Sequence, residues 1–147
     1  MCNFDLKELI KRKKNQIGIV FNLDFHTGPG THWVSLYIDI KNKFIFYFDS
    51  NGDKTPKQIK TFINRIILQG KKENIDFVLY ENNKTEHQRS NTECGMYSLF
   101  FIITMLTKKI LNKKKTTKGI IKYFLGKLSG RIKDHLVSDL RDFYFRK

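Results

Sequence analysis

Along this 147-residue chain the spacing of apolar positions changes several times, and each change predicts an element. In residues 5–15 Leu6, Leu9 and Ile10 share one side with charges opposite, which predicts a short amphipathic helix. Residues 17–23 are β-branched and apolar, a strand expected to be buried on both faces. Gly28-Pro29-Gly30 makes 24–31 a loop. Residues 32–38 and 44–49 read as two strands, joined by Asp39-Ile40-Lys41-Asn42 with turn-type residues at both ends. Ser50-Asn51-Gly52-Asp53 is another turn. Thr55-Pro56 opens a helix with Pro at its first position, running to about Leu68 with Ile59, Phe62, Ile63, Ile66 and Ile67 inward and Gly70 as its stop. A short strand at 77–80 and a polar loop at 81–91 lead into the longest apolar run, which predicts a buried central helix over 93–107 with Asn91 and Thr92 as N-cap candidates. Beyond a lysine-rich linker at 108–118, residues 119–127 and 131–144 predict two more helices, the second with Ile132, Leu136, Leu140 and Phe143 in one stripe.

The central hairpin allows a calculation. His32 and Asp49 are 17 positions apart, so their midpoint falls between Ile40 and Lys41, inside the predicted turn. Strands folded about that point set His32 opposite Asp49, Val34 opposite Tyr47 and Leu36 opposite Ile45. Opposed residues share a face with Cβ atoms about 5 Å apart, close enough for a carboxylate to hold an imidazole N–H. A slip of one residue would put the two on opposite faces.

Composition narrows the class. A chain of 147 residues with 40% apolar residues and thirteen Phe is read as one globular α+β domain rather than a disordered tail. Cys2 and Cys94 are the two cysteines, and pairing a chain end with a helix start is not expected, so the thiols read as reduced and the compartment as intracellular. The N-terminus is mixed and turns basic at Lys11-Arg12-Lys13-Lys14, unlike a secretory signal. The apolar run at 96–106 is shorter than the roughly 20 residues that span a bilayer, so a soluble monomer without a membrane partner is expected. The net charge is 28 − 14 = +14, and no acidic residue lies between Glu93 and Asp134. Lys108, Lys109, Lys113, Lys114 and Lys115 fall in that interval and are candidates for contact with nucleic acid or an acidic partner. Against this, Lys, Asn, Ile and Phe are all plentiful, as in a compositionally biased genome, and no aromatics interleave with Lys113 to Lys115 as on a stacking platform. His26, His32 and His87 have no cysteine cluster around them, so neither a metal nor another cofactor is expected.

Candidate chemistry centres on Cys94, placed in the first turn of the central helix. Orphan N–H groups and the positive end of the macrodipole meet there and favour an anion. A lone cysteine is more often simply buried, but a thiol hydrolase needs further parts: a base, an orienter for the base and oxyanion donors. His32 supplies the base and Asp49 the orienter. Gln88 lies six residues before Cys94 in a loop that must return to the helix start, so its amide can join the Cys94 N–H as an oxyanion donor. Taken singly, His32 reads as a structural or surface histidine, Asp49 as a turn-starting Asp, and Gln88 as uninformative. Their order and spacing together point to catalysis. His26 and His87 rank below His32 as bases, having no carboxylate at a calculable position.

The pattern His32-Trp33, Asp49, Gln88 and Cys94-Gly95 resembles the ubiquitin-like-protein (SUMO-type) protease superfamily of cysteine peptidases. The context Asn22-Leu23-Asp24-x-His26-x-Gly28-x-Gly30-x-His32-Trp33 is similar to its large DNA virus branch, and Ile132-x-Asp134 with Leu140-Arg141-x-x-Tyr144-Phe145 resembles the family's C-terminal helix. The resemblance implies a papain-like, adenain-like α+β core, a small mixed sheet flanked by helices. It also implies a catalytic Cys94, His32, Asp49 and Gln88, and cleavage of polypeptides after Gly-Gly-type sequences. Glycines would thread a slot with Trp33 as one wall and Gly95 and Asn91 beside it. The family's N-terminal helical region is expected to be largely absent. The implied function is a cysteine endopeptidase maturing viral polyproteins, in the host cytoplasm and virion. The alternatives are a deconjugase of ubiquitin-like modifiers, acyl transfer on the same triad, and a basic nucleic-acid-binding or scaffold module with a vestigial triad.

Overall fold

Five consecutive large residues, Phe44-Ile45-Phe46-Tyr47-Phe48, are all buried, because this strand has a neighbour on each side and helices over both faces. The computed structural model describes residues 3–24, 28 and 30–145. Its main sheet has the order β1 (Gln16–Asn22), β2 (Trp33–Asp39), β3 (Phe44–Phe48), β4 (Val78–Glu81). The first three strands are antiparallel and β4 runs parallel to β3. A parallel neighbour requires a crossover, which α2 (Lys57–Lys72) supplies. Side chains alternate between the two faces, so Tyr37, Phe44, Phe46 and Phe48 pack with α3 (Cys94–Thr107) and α4 (Thr117–Phe124). Leu36, Ile38, Ile45 and Tyr47 pack with Ile59, Phe62, Ile63 and Ile66 of α2. Helix α3 is apolar almost all round, as suits a helix buried at the centre. The remaining helices are α1 (Leu6–Lys11) and α5 (Asp134–Phe145).

The hairpin register differs from the calculated one by two residues: Ser35 pairs with Phe48, Leu36 with Tyr47 and Asp39 with Phe44. Asp39 stays in β2 and its carboxylate accepts from the Asn42 backbone and side chain at 2.8 and 2.9 Å. Lys43 turns the chain with a left-handed φ of 56°, so the turn occupies 40–43 and not the position centred between Ile40 and Lys41. The slip is even, so His32 and Asp49 still share a face, now diagonally.

Other expectations are corrected. Strand β1 is an edge strand with alternate residues exposed, not a strand buried on both faces. Gly70 does not stop α2, which runs two residues further. A Cβ there would lie 2.6 Å from the Phe77 ring, so the glycine serves close packing. Neither Asn91 nor Thr92 caps α3; its N-cap is Glu93, whose side chain makes no capping hydrogen bond. The predicted linker contains a small hairpin, β5 (Lys109–Ile110) and β6 (Lys113–Lys114), turned by Leu111 and Asn112 with φ of 47° and 65°. In α5 the buried stripe is built on Val137, with Leu136, Leu140 and Tyr144 against it, while Phe143 is 69% exposed.

Candidate active site

Three side chains that are distant in sequence meet where β2 begins, β3 ends and α3 begins. Cys94 is the first residue of α3, with only 9% of its surface exposed. The helix behind it is anchored by the buried Tyr97, Phe100 and Phe101, so the sulfur sits on a rigid element. His32 directly precedes β2, and its Nε2 lies 2.7 Å from Asp49 Oδ1. The Asp49 hydrogen bond leads the causes that raise the His32 pKa above its ordinary value, against the lowering effect of burial, and the nearby Cys94 thiol adds to the rise. With Nε2 committed to Asp49, Nδ1 is the ring atom available to the thiol.

Asp49 immediately follows β3 and is 1% exposed. A buried carboxylate needs donors, and it has them. The Asn51 N–H donates to Oδ1 at 2.9 Å and the Tyr47 hydroxyl to Oδ2 at 3.5 Å. Its backbone is clamped by Asn82, whose Oδ1 accepts from the Asp49 N–H at 2.9 Å while its Nδ2 donates to the Asp49 carbonyl at 2.6 Å. Asn82 also donates to the Thr85 carbonyl at 3.2 Å. Sequence reasoning missed Asn82, since an Asn in the polar run Glu81-Asn82-Asn83-Lys84 signals nothing beyond a turn.

Gln88 is buried beside this cluster. The Ser50 carbonyl accepts from the His87 and Gln88 N–H groups at 2.8 and 2.9 Å, tying the loop before α3 to the end of β3. The Ser50 hydroxyl donates to Gln88 Oε1 at 2.7 Å, which fixes the side-chain amide, and Nε2 donates to the Ser90 carbonyl. Nε2 carries a second N–H, and the first N–H groups of α3 have no side-chain cap. Behind the loop, Asp134 accepts from the Arg89 N–H at 3.1 Å, the Tyr97 hydroxyl at 3.0 Å and Arg131 Nη2 at 2.7 Å. Burial opposes its ionisation, but these donors prevail and hold its pKa below the usual carboxylate range.

A cleft of about 580 Å3 opens in front of Cys94, with Trp33, Gly95 and Asn91 in its wall. Trp33 is 38% exposed, and its ring is 3.9 Å from where a Cβ on Gly95 would stand. Arg141 of α5 borders the same cleft and pairs with Glu93 at 3.2 Å.

His87 is not a base for Cys94. It is fully buried, its Nε2 donates to the Phe124 carbonyl at 2.8 Å, and its Nδ1 accepts from the Ile132 N–H at 2.9 Å. His26 and Cys2 lie outside the described residues. Lys108 leaves the basic surface set: its ammonium is 3.8 Å from the buried Asp39 carboxylate and lies over the Tyr37 ring, and burial lowers its pKa. Lys109, Lys113, Lys114 and Lys115 are exposed. Among the described residues no three His, Cys, Asp or Glu side chains cluster as metal ligands, and no helix is long and apolar enough to cross a membrane.

Residues 6–140 match the Ulp1 protease family, C-terminal catalytic domain. The chain is 36% identical over 107 residues to protein R355 of Acanthamoeba polyphaga mimivirus, covering 73% of this chain and 35% of that protein. It is 40% identical over 95 residues to the cysteine protease S273R of African swine fever virus, covering 63% of this chain and 35% of the relative. The crystal structure of the African swine fever virus pS273R protease is similar with a TM-score of 0.73 at 32% identity, over 90% of this chain and 45% of that one. The matched part is therefore less than half of each of these relatives. A family match that runs from α1 into α5, with viral thiol chemistry among the relatives, leaves one assignment: the chain belongs to the Ulp1 protease family of cysteine peptidases and carries its C-terminal catalytic domain.

Proposed function

We propose that the chain is a cysteine endopeptidase in which Cys94 is the nucleophile, His32 the base, Asp49 its orienter and Gln88 an oxyanion donor. The observation that carries this reading is the His32 ring bonded to the buried Asp49 carboxylate at 2.7 Å, with the Cys94 thiol near enough to contribute to its raised pKa. His32 Nδ1 takes the thiol proton, and the imidazolium that results is stabilised by Asp49 through Nε2. Sγ attacks the scissile carbonyl carbon. Its oxygen becomes an anion received by the Cys94 N–H at the uncapped head of α3 and by the second N–H of Gln88 Nε2. The C–N bond then breaks as His32 returns its proton to the leaving amine, which leaves a thioester. Water gives a proton to His32, attacks the thioester and releases the acid, and the proton restores the thiol.

The substrate we propose is a polypeptide with a Gly-Gly-type site, in which residues without side chains lie against Trp33 and Gly95 next to Cys94. The named relatives are viral, which favours polyprotein maturation in the host cytoplasm or virion. The test is hydrolysis of a Gly-Gly peptide by wild type, Cys94→Ala and His32→Ala: loss in both variants is expected, and unchanged turnover in either one would sink the reading. A second reading, removal of ubiquitin-like modifiers, is favoured by one relative's being described as a SUMO-1 cysteine protease, 38% identical over 97 residues. It requires an intact modifier to be cut faster than a peptide of its C-terminal residues.

A further inference from the structure

We propose that the groove between β4 and α4, away from Cys94, binds an acidic peptide segment whose charged residues alternate with apolar ones. The groove has a volume of about 460 Å3 and is bordered by four lysines, Lys43, Lys118, Lys122 and Lys127. All four are exposed, and no ion pair engages any of them among the described residues. Among the described residues no acidic side chain lines this groove. Four uncompensated cations about one concavity repel one another, and an anion between them relieves that repulsion.

The floor is apolar, made by Val78, Tyr80 and Ile121. Val78 lies on the free edge of the sheet and is 52% exposed. Charge alone would suit any polyanion, but the floor discriminates. A phosphate backbone needs no apolar floor, and stacking of bases needs a free aromatic face. The ring of Tyr80 is already packed against Phe44 and Phe46, each with centroids 5.9 Å away. An extended peptide instead sets alternate side chains on opposite sides, one set towards the floor and the other towards the lysines. A second hollow of about 370 Å3, lined by both Glu81 and Lys84, shares Tyr80, Leu125 and Lys127 with the groove.

The experiment measures binding and not hydrolysis, so it stands whether or not Cys94 is catalytic. A labelled pool of eight-residue peptides alternating Asp or Glu with Leu, Val or Phe is titrated with the full chain by fluorescence anisotropy. Three comparators are used: a pool with Gly and Ser replacing the apolar residues, a pool with Lys replacing the acids, and a 20-nucleotide single-stranded DNA. We expect the acidic-apolar pool to bind, and its affinity to fall at least ten-fold in Lys118→Glu/Lys122→Glu. The milder Lys118→Gln/Lys122→Gln should give a smaller loss, and Lys113→Glu/Lys114→Glu on the β5–β6 hairpin should leave affinity unchanged. Equal binding of the Gly/Ser pool, equal loss in the hairpin variant, or no difference between wild type and both groove variants would overturn the proposal. Tighter binding of the DNA that is abolished by the groove variants would replace it with a nucleic-acid site.

Discussion

His32 Nε2 and Asp49 Oδ1 stand 2.7 Å apart, and that same carboxylate oxygen takes the Asn51 N–H at 2.9 Å. The carboxylate is thus fixed before it meets the imidazole. In Asp49→Asn a neutral amide can neither stabilise an imidazolium nor guarantee that Nε2 remains the protonated nitrogen. We expect kcat/KM on a Gly-Gly peptide to fall about a hundred-fold or more, and the His32 titration followed by NMR to move down. Activity within two-fold of wild type would remove Asp49 from the mechanism.

The same pair gives a pH dependence. The His32 pKa is raised in the fold, chiefly by the Asp49 hydrogen bond. Its stabilising contribution is therefore fully present below the unfolded value of about 6.5 and is lost as pH rises through the raised folded value. Urea denaturation should show Asp49→Asn costing more at pH 6 than at pH 9. A cost independent of pH would mean that the imidazole is neutral throughout.

His87 shows the opposite sign. Burial lowers its pKa, so in acid the unfolded chain binds the extra proton first, and stability falls as pH drops below about 6.5. His87→Ala should remove this slope. It should also cost about 2–4 kcal/mol, because the Phe124 carbonyl and the Ile132 N–H both lose their partner. A variant with unchanged chemical denaturation would show that water replaces the ring.

Gly70→Ala sets two effects against each other. Alanine favours a helix interior over glycine by about 1 kcal/mol. A Cβ there would, however, meet the Phe77 ring at 2.6 Å and the Ile75 carbonyl at 2.9 Å, and overpacking of this kind costs about 1–3 kcal/mol. The Ile75 N–H also donates to the Gly70 carbonyl at 2.8 Å, so the loop cannot move away freely. Net destabilisation is expected as a lower melting temperature; a rise would show that the loop yields.

These cases also show why some of the structure was legible in the sequence and some was not. Periodicity located the strands, α2 and the Cys94 helix, because each buries a face large enough to impose its spacing. Parity in the hairpin was legible too, since a residue and its neighbour two places on face the same way, and so His32 and Asp49 met despite a two-residue error. The error came from Asp39, whose hydrogen bonds to Asn42 moved the turn, and local bonding of this kind leaves no apolar pattern. Gly70 misled because glycine has two uses, ending helices and admitting a neighbour, and only the position of Phe77 separates them. The Lys108–Asp39 pair joins residues 69 positions apart, and spacing along the chain cannot show such a meeting.

Asn82 is where the absence of a sequence signal has the greatest consequence for the site. One side chain satisfies both backbone groups of Asp49 and also bonds the Thr85 carbonyl. In Asn82→Ala three buried or half-buried groups lose that partner, with an expected cost of about 2–3 kcal/mol. Asn82→Asp keeps an acceptor for the Asp49 N–H but loses the donor and adds a negative charge near a carboxylate, so it should be no better than alanine. If Asn82 acts only on folding, the folded fraction of either variant keeps the wild-type pH–rate profile. If it positions Asp49, the His32 limb of that profile shifts while KM holds. We expect the shift, and an unaltered profile in a well-folded Asn82→Ala would confine this residue to a structural role.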